Sequence, residues 1–238
     1  RWDGPILSDS GGYQVFSLTK IRDLHEDGVE FQSHIDGSKH AFTPEYVVDI
    51  QRTLGADVIM AFDECTPYPA TREQAGQGVR RTLQWMERCL KAHARGDDQA
   101  LFGIVQGSVY PELREACAVS LVAMDCPGYA IGGVSVGEGH ELLCSVTDHA
   151  APLLPEDKPR YLMGVGLPED LIAGIGFGID MFDCVIPTRY ARSATVFTSR
   201  GRIRLTNRRF RRDAFPVDAS CECYTCQGGF TRAYIHHL

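Results

Sequence analysis

The run Ala100-Leu101-Phe102-Gly103-Ile104-Val105-Gln106-Gly107 is apolar almost to its end and then stops on an amide and a glycine. After an amphipathic stretch, Pro111 to Met124, the pattern returns as Tyr129-Ala130-Ile131-Gly132-Gly133-Val134. An unbroken apolar run of this length suits a strand covered on both faces, and a helix between two such runs makes the pair parallel. Outward from this βαβ unit the alternation continues. Further strand candidates are Pro5 to Ser8, Asp57 to Asp63, Arg160 to Val165 and Met181 to Ile186; further helix candidates are Thr43 to Leu54, Arg72 to Ala94, His140 to Ala151 and Pro168 to Gly176. Thr43 is placed as an N-cap, with Pro44 in the first helical position. Regular alternation of this kind predicts an α/β fold on a parallel sheet.

The residues at the strand ends select a barrel over an open sheet. Asp9-Ser10-Gly11-Gly12, Asp63-Glu64, Gln106-Gly107, Gly132-Gly133, Gly164 and Asp183 all fall at C-terminal strand ends. In a barrel these ends share one face, where active sites of that fold sit; in an open sheet the outer strands are too far apart to share a site. The first βα segment also lacks the spaced glycines of a dinucleotide-binding loop. A (β/α)8 TIM-type barrel needs eight strands, so about two N-terminal strands are expected to lie outside the chain, which has no initiator Met and begins just before a strand. Beyond the last strand the pattern changes. Thr195 to Arg204 reads as a hairpin turning at Ser199-Arg200-Gly201, three cysteines come next, and Thr231 to Leu238 reads as a helix. The expected organisation is a partial catalytic barrel over residues 1–194 and an Arg-rich, Cys-rich zinc-binding subdomain over 195–238, incomplete at its C-terminus.

Composition supports a folded, water-soluble protein: of 238 residues, 44% are hydrophobic and 23% charged, enough for a full core and unlike a disordered chain. No run is long enough to span a bilayer, and the first residues have no signal-peptide character, so a cytoplasmic protein is expected. The net charge of −7 conceals an asymmetry. Nine arginines and no Asp or Glu lie between Ile186 and Arg212, which leaves 15 basic against 31 acidic residues elsewhere. An acidic body with one arginine block points to a single anion-facing surface, and the use of Arg without Lys suits phosphate recognition. A solvated hairpin is the plainer alternative.

Six of the nine cysteines are scattered singly in apolar segments, as buried thiols are. Cys221, Cys223 and Cys226 are bunched and read as three ligands of a structural zinc, with a fourth required from elsewhere. His236 and His237 are adjacent in a helix, point in different directions, and are not assigned. Asp9, Asp63 and Asp183 close strands on the expected active face. A carboxylate there is costly to bury unless paired, and two carboxylates flanking a glycosidic bond can perform displacement chemistry. Asp180, of opposite strand parity or outside the strand, reads as a solvent-facing or helix-end residue. A flat base could be bound by the Gln106 amide and the backbone at Gly132-Gly133, between Tyr13 and Met163 as walls.

These segments resemble the tRNA-guanine transglycosylases. The resemblance is carried by Asp9-Ser10-Gly11-Gly12-Tyr13-Gln14-Val15-Phe16, Ala61-Phe62-Asp63-Glu64-Cys65, Gly103-Ile104-Val105-Gln106-Gly107, Tyr161-Leu162-Met163-Gly164-Val165-Gly166, the run from Asp180 to Arg189 and the cysteine cluster. It implies Asp183 as the nucleophile on C1′ of the wobble guanosine and Asp9 as general acid/base. Asp63, Gln106, Gly133 and Val134 would hold the base edge and Tyr13 and Met163 its faces, with the nucleotide flipped out of the stack. Arg189 and Arg192 would bind RNA. It further implies structural Zn2+ with a fourth, histidine ligand beyond Leu238, tRNA, guanine and preQ1 as substrates, a role in queuosine biosynthesis, and a homodimer.

Val136 and Cys65 match the preQ1-inserting bacterial pattern; queuine insertion, where the family has glycine at the Val136 position, is the alternative. Val134 and Ser135 depart from the Leu-Ala commonest in bacterial members. Other readings are a catalytically silent tRNA-binding subunit, disfavoured by the presence of both Asp9 and Asp183, a two-carboxylate glycoside hydrolase, which has no use for the arginine block, and an archaeal-type transglycosylase, for which the chain carries no further RNA-binding domain.

Overall fold

The computed structural model of the chain describes residues 2–14, 22–33, 35–93 and 98–238. Val15 and Phe16 of the first motif, and Ala94 at the expected end of the second helix, lie outside them. Two compact units succeed one another, Arg1–Asp183 and Cys184–Leu238.

The first unit runs β1 (Leu7–Ser8), β2 (Arg22–Leu24), β3 (Val29–Gln32), β4 (Lys39–Phe42), α1 (Pro44–Leu54), β5 (Val58–Met60), α2 (Arg72–Ala92), β6 (Ala100–Val105), α3 (Pro111–Ala123), β7 (Tyr129–Ile131), α4 (His140–Ala150), β8 (Arg160–Leu162), α5 (Pro168–Gly176) and β9 (Met181–Phe182). Six strands form one sheet in the order β1-β5-β6-β7-β8-β9, and every pair is parallel, with Ile59 opposite Leu101 and Ala130 opposite Tyr161. Each strand therefore neighbours the next of the set, as in a barrel wall; the described sheet is a parallel half-barrel. All six expected strands are present. Their ends are trimmed, most of all for Met181 to Ile186, where only Met181–Phe182 is strand and Ile186 opens a helix. Pro187 in that helix's first turn has no N–H for a ladder and a backbone angle preset for a helix.

Period-2 alternation sorts the strand residues into two cores. Met60, Phe102, Ile104, Ala130 and Tyr161 pack together on one face, joined by Leu7, Met163 and Met181. Ile59, Leu101, Val105, Tyr129, Ile131 and Leu162 lie on the other, against the helices. There Trp85 of α2 is fully buried, stacks on Phe62 with centroids 4.6 Å apart, and donates from Nε1 to the Glu26 carbonyl at 2.8 Å. Helix starts follow local chemistry. Thr43 caps α1 by accepting from Tyr46 N, as expected, and Thr71 with Gln74 forms a reciprocal capping box on α2.

One element is absent from the sequence reading: β2, β3 and β4 form an antiparallel sheet between β1 and α1. Its strands are three or four residues long and several of their side chains, such as Glu30 and His40, face solvent, so no apolar run announces them. In the second unit, α6 (Ile186–Arg192) leads to β10 (Thr195–Thr198) and β11 (Gly201–Arg204), then α7 (Tyr224–Gln227) and α8 (Arg232–His237). The expected hairpin is present, with Thr198 opposite Gly201 across Ser199-Arg200. A small core of Leu205, Phe210 and Val217 holds this unit, and Arg232 ties α8 to it through Asp213 and the Val217 carbonyl.

Candidate active site

Because all six strands are parallel, their C-terminal ends lie along one edge, and Asp9, Asp63, Gln106, Gly132-Gly133, Gly164 and Asp183 come after β1, β5, β6, β7, β8 and β9 there. Asp183 is exposed at that edge. Its Oδ1 accepts two hydrogen bonds, from the Tyr161 hydroxyl at 2.7 Å and from Gly164 N at 2.7 Å. Both fall on one oxygen, so the carboxylate is oriented while Oδ2 has no partner among the described residues. Burial, and then the hydrogen bond to Asp183, push the Tyr161 hydroxyl well above its usual pKa, so it stays a donor.

Asp9 accepts from Ser10 N at 2.8 Å and from Gln14 Nε2 at 3.2 Å. Its side chain reaches solvent, yet the surrounding walls displace enough water to raise its pKa; Gln14 and Ser10 oppose the rise and the charge of Asp183 adds to it. The two carboxylates are thus close enough for the charge of Asp183 to be felt at Asp9.

Asp63 is deeper, 5% exposed, and accepts from Gln106 Nε2 at 2.6 Å. Burial is the main reason its pKa is pushed up to about 7, with Asp9's charge next and Gln106 opposing. Gln106 is itself buried, and its Oε1 has no hydrogen-bond partner among the described residues. An ideal Cβ on Gly133 would lie 2.4 Å from that oxygen, and one on Gly132 2.7 Å from Gln106 Nε2, so glycine is required where this backbone passes the amide. A carboxylate near neutrality, an unfilled amide oxygen and close backbone in one place can meet the edge of a flat polar ring.

The candidate walls are differently placed: Met163 packs on the inner core, whereas Tyr13 is 49% exposed. Cys65 is buried, and that burial pushes its thiol up to about 12. Val134 is buried while Ser135 is exposed; Glu138 holds this loop by accepting from Ser135 N and from Val136 N at 2.9 Å. Asp180 is exposed and accepts from Arg160 N at 2.9 Å, a structural tie between strands β8 and β9.

The sequence reading assigned no part to Tyr161, Gln14, Glu138 or Arg114. Arg114 is 1% exposed in α3, on the same stripe as Cys117, Ala118 and Leu121. An arginine inside an apolar i, i+3, i+4, i+7 stripe was the available signal. Tyr161 was legible as an inward strand residue whose hydroxyl needs a partner.

In the second unit the Sγ atoms of Cys221, Cys223 and Cys226 lie within 4.8 Å of one another. Thiolates on a tetrahedral zinc stand about 3.8 Å apart, so small adjustments suffice. Cys223 N also donates to the Cys221 sulfur at 3.5 Å. The three can hold a metal. His236 Nδ1 is engaged by the Leu205 carbonyl at 2.7 Å and is not in the group. All nine arginines of the block, Arg189 and Arg192 included, are exposed, and none is ion-paired among the described residues. Arg202 packs on the Tyr190 ring at 5.6 Å.

A parallel half-barrel with carboxylates and a buried amide on its C-terminal rim defines the class: a parallel α/β protein with these groups on the edge where barrel enzymes place their sites. The chain belongs to the queuine tRNA-ribosyltransferase family, whose family model matches residues 1–238. It is 59% identical to the queuine tRNA-ribosyltransferase of Desulforamulus reducens and 55% identical to that of Bacillus subtilis, over all of its 238 residues. It spans 64% and 62% of those two proteins. Among the described residues no helix is long and apolar enough to cross a membrane.

Proposed function

We propose that the whole protein exchanges guanine at the anticodon wobble position of tRNA for preQ1, a step of queuosine biosynthesis, on a closed (β/α)8 barrel whose described part is residues 1–194. The observation that carries this is the pairing of Asp183, oriented through one oxygen with the other free, with a buried Asp63–Gln106 pocket that still lacks a hydrogen-bond partner. Asp183 Oδ2 attacks C1′ of the flipped nucleotide; the C1′–N9 bond breaks and its electron pair leaves with guanine, which takes a proton from Asp9. The incoming base returns its N9 proton to Asp9, attacks C1′ and displaces Asp183. Asp63, Gln106 and the backbone of Gly133 and Val134 hold the base edge, between Tyr13 and Met163. Narrowing by Val136 and the presence of Cys65 favour preQ1 over queuine. The family's name supports the tRNA substrate, and the exposed arginines, Arg189 and Arg192 with them, suit its phosphates.

The test is incorporation of labelled guanine, preQ1 and queuine into tRNA carrying or lacking a wobble guanosine. Incorporation of guanine and preQ1 only into the former is expected; tRNA binding without incorporation would instead favour a silent subunit.

In residues 195–238, Cys221, Cys223 and Cys226 would hold a structural zinc, which would tie the loop before α7 to that helix. Cobalt(II) in its place is expected to show thiolate charge-transfer absorption that Cys223→Ser loses, and chelation is expected to lower the melting temperature of the wild type but not of that variant. A chelator-insensitive melt and an unchanged spectrum would exclude the site. The protein is further proposed to act in the cytoplasm as a homodimer.

A further inference from the structure

Arg114 is fully enclosed, and all its acceptors are backbone carbonyls. Nε donates to Ser108 O at 2.8 Å, one terminal nitrogen to Val105 O at 2.8 Å and Gly132 O at 2.7 Å, and the other to Gly133 O at 3.2 Å. Among the described residues no carboxylate forms an ion pair with it. Burial brings its pKa down to about 10, so it remains a cation at neutral pH. An uncompensated buried charge is costly, and hydrogen bonds to four carbonyls offset only part of that cost.

The two carbonyls beyond β7 show what this charge can do. In a trans peptide the C=O of one residue and the N–H of the next point in opposite directions. The peptide units whose oxygens Arg114 grips at Gly132 and Gly133 therefore send the Gly133 and Val134 N–H groups away from the guanidinium. The Gly133 amide faces the Cys65 sulfur, and the Val134 N–H has no partner among the described residues. A cation bonded to a carbonyl draws electron density from the amide and makes its N–H a stronger donor.

We infer that Arg114 is a positioning residue which, through the carbonyls of Gly132 and Gly133, aims and polarises the Gly133 and Val134 N–H groups as paired donors for a carbonyl oxygen on the bound base. This rests on the base-exchange reading above and adds to it a selection for bases that carry an exocyclic oxygen next to the N–H donors Asp63 would accept from. A purine without that oxygen gives the donors nothing to bind; the Gly133 N–H is then left to the Cys65 sulfur and the Val134 N–H without an acceptor among the described residues.

The experiment compares guanine with 2-aminopurine, which lacks the oxygen and with it the N1–H, as competitors of labelled-guanine exchange by the whole protein, in the wild type, Arg114→Met and Arg114→Lys, and reads only the change each variant causes for each base. Lysine keeps the charge, but its single nitrogen cannot serve every carbonyl. In each variant that folds, guanine is expected to weaken by roughly tenfold while 2-aminopurine changes less than about twofold, a coupling that general loosening would not produce. Equal losses for both bases would reduce Arg114 to a structural support, and no loss for either would remove it from the site. Should Arg114→Met fail to fold, Arg114→Lys decides by the same ratio. A wild type without any exchange activity would instead overturn the base-exchange reading.

Discussion

Asp183→Ala is expected to abolish both base exchange and the covalent protein–RNA adduct seen on a denaturing gel, a loss on the order of 10⁴-fold or more, as for removal of other catalytic nucleophiles. The geometry makes the expectation specific. Tyr161 and Gly164 occupy one oxygen of Asp183, which leaves the other available for the proposed attack. Asp9→Ala removes a proton carrier and should leave attack possible, so adduct should still form, slowly, while turnover fails. Tyr161→Phe keeps the nucleophile but frees Oδ1, and should slow exchange far less than loss of Asp183 does. Adduct persisting in Asp183→Ala but not in Asp9→Ala would require the two roles to be exchanged.

The second large effect sets stability against binding at Asp63. Its folded pKa of about 7 stands above the usual 3.8, so between those values the folded protein holds a proton that the unfolded chain has lost. The contribution of the neutral acid is fully present below about pH 4, declines as pH rises, and is gone above about pH 7. Roughly three pKa steps at about 1.4 kcal/mol each set an upper bound of about 4 kcal/mol. Asp63→Asn cannot ionise and still accepts from Gln106. It is expected to flatten this dependence and to raise stability above pH 7, measured by urea unfolding between pH 5 and pH 8. Guanine presents its N1–H and its exocyclic 2-amino group side by side, a pair of donors that a charged carboxylate meets best. Its affinity for the wild type should therefore weaken below about pH 7, and Asp63→Asn should bind it on the order of 100-fold less tightly at pH 8. Equal binding by the two forms would remove Asp63 from base recognition.

Much of this protein could be read from the order of its residues. The six parallel strands and five helices, the cap at Thr43, the hairpin from Thr195 to Arg204, the cysteine cluster and the placement of Asp9, Asp63, Gln106 and Asp183 at strand ends all derive from periodicity and spacing. These are properties of neighbours along the chain. The small sheet of β2, β3 and β4 escaped because its strands are short and partly polar, and the helix at Ile186 because its apolar residues mimic a strand until Pro187 is weighed.

The tertiary structure alone decided the chemical state of the rim. Tyr161 meets Asp183 across 22 residues, Gln106 meets Asp63 across 43, and Arg114 reaches Gly133 across 19. No local pattern encodes such distances. Nor does any reveal how much water a folded wall displaces, and it is that displacement which lifts the pKa of Asp63 to about 7 and lowers that of Arg114 to about 10. The chain order placed these groups on one rim; only folding around them set their charges and their hydrogen-bond partners.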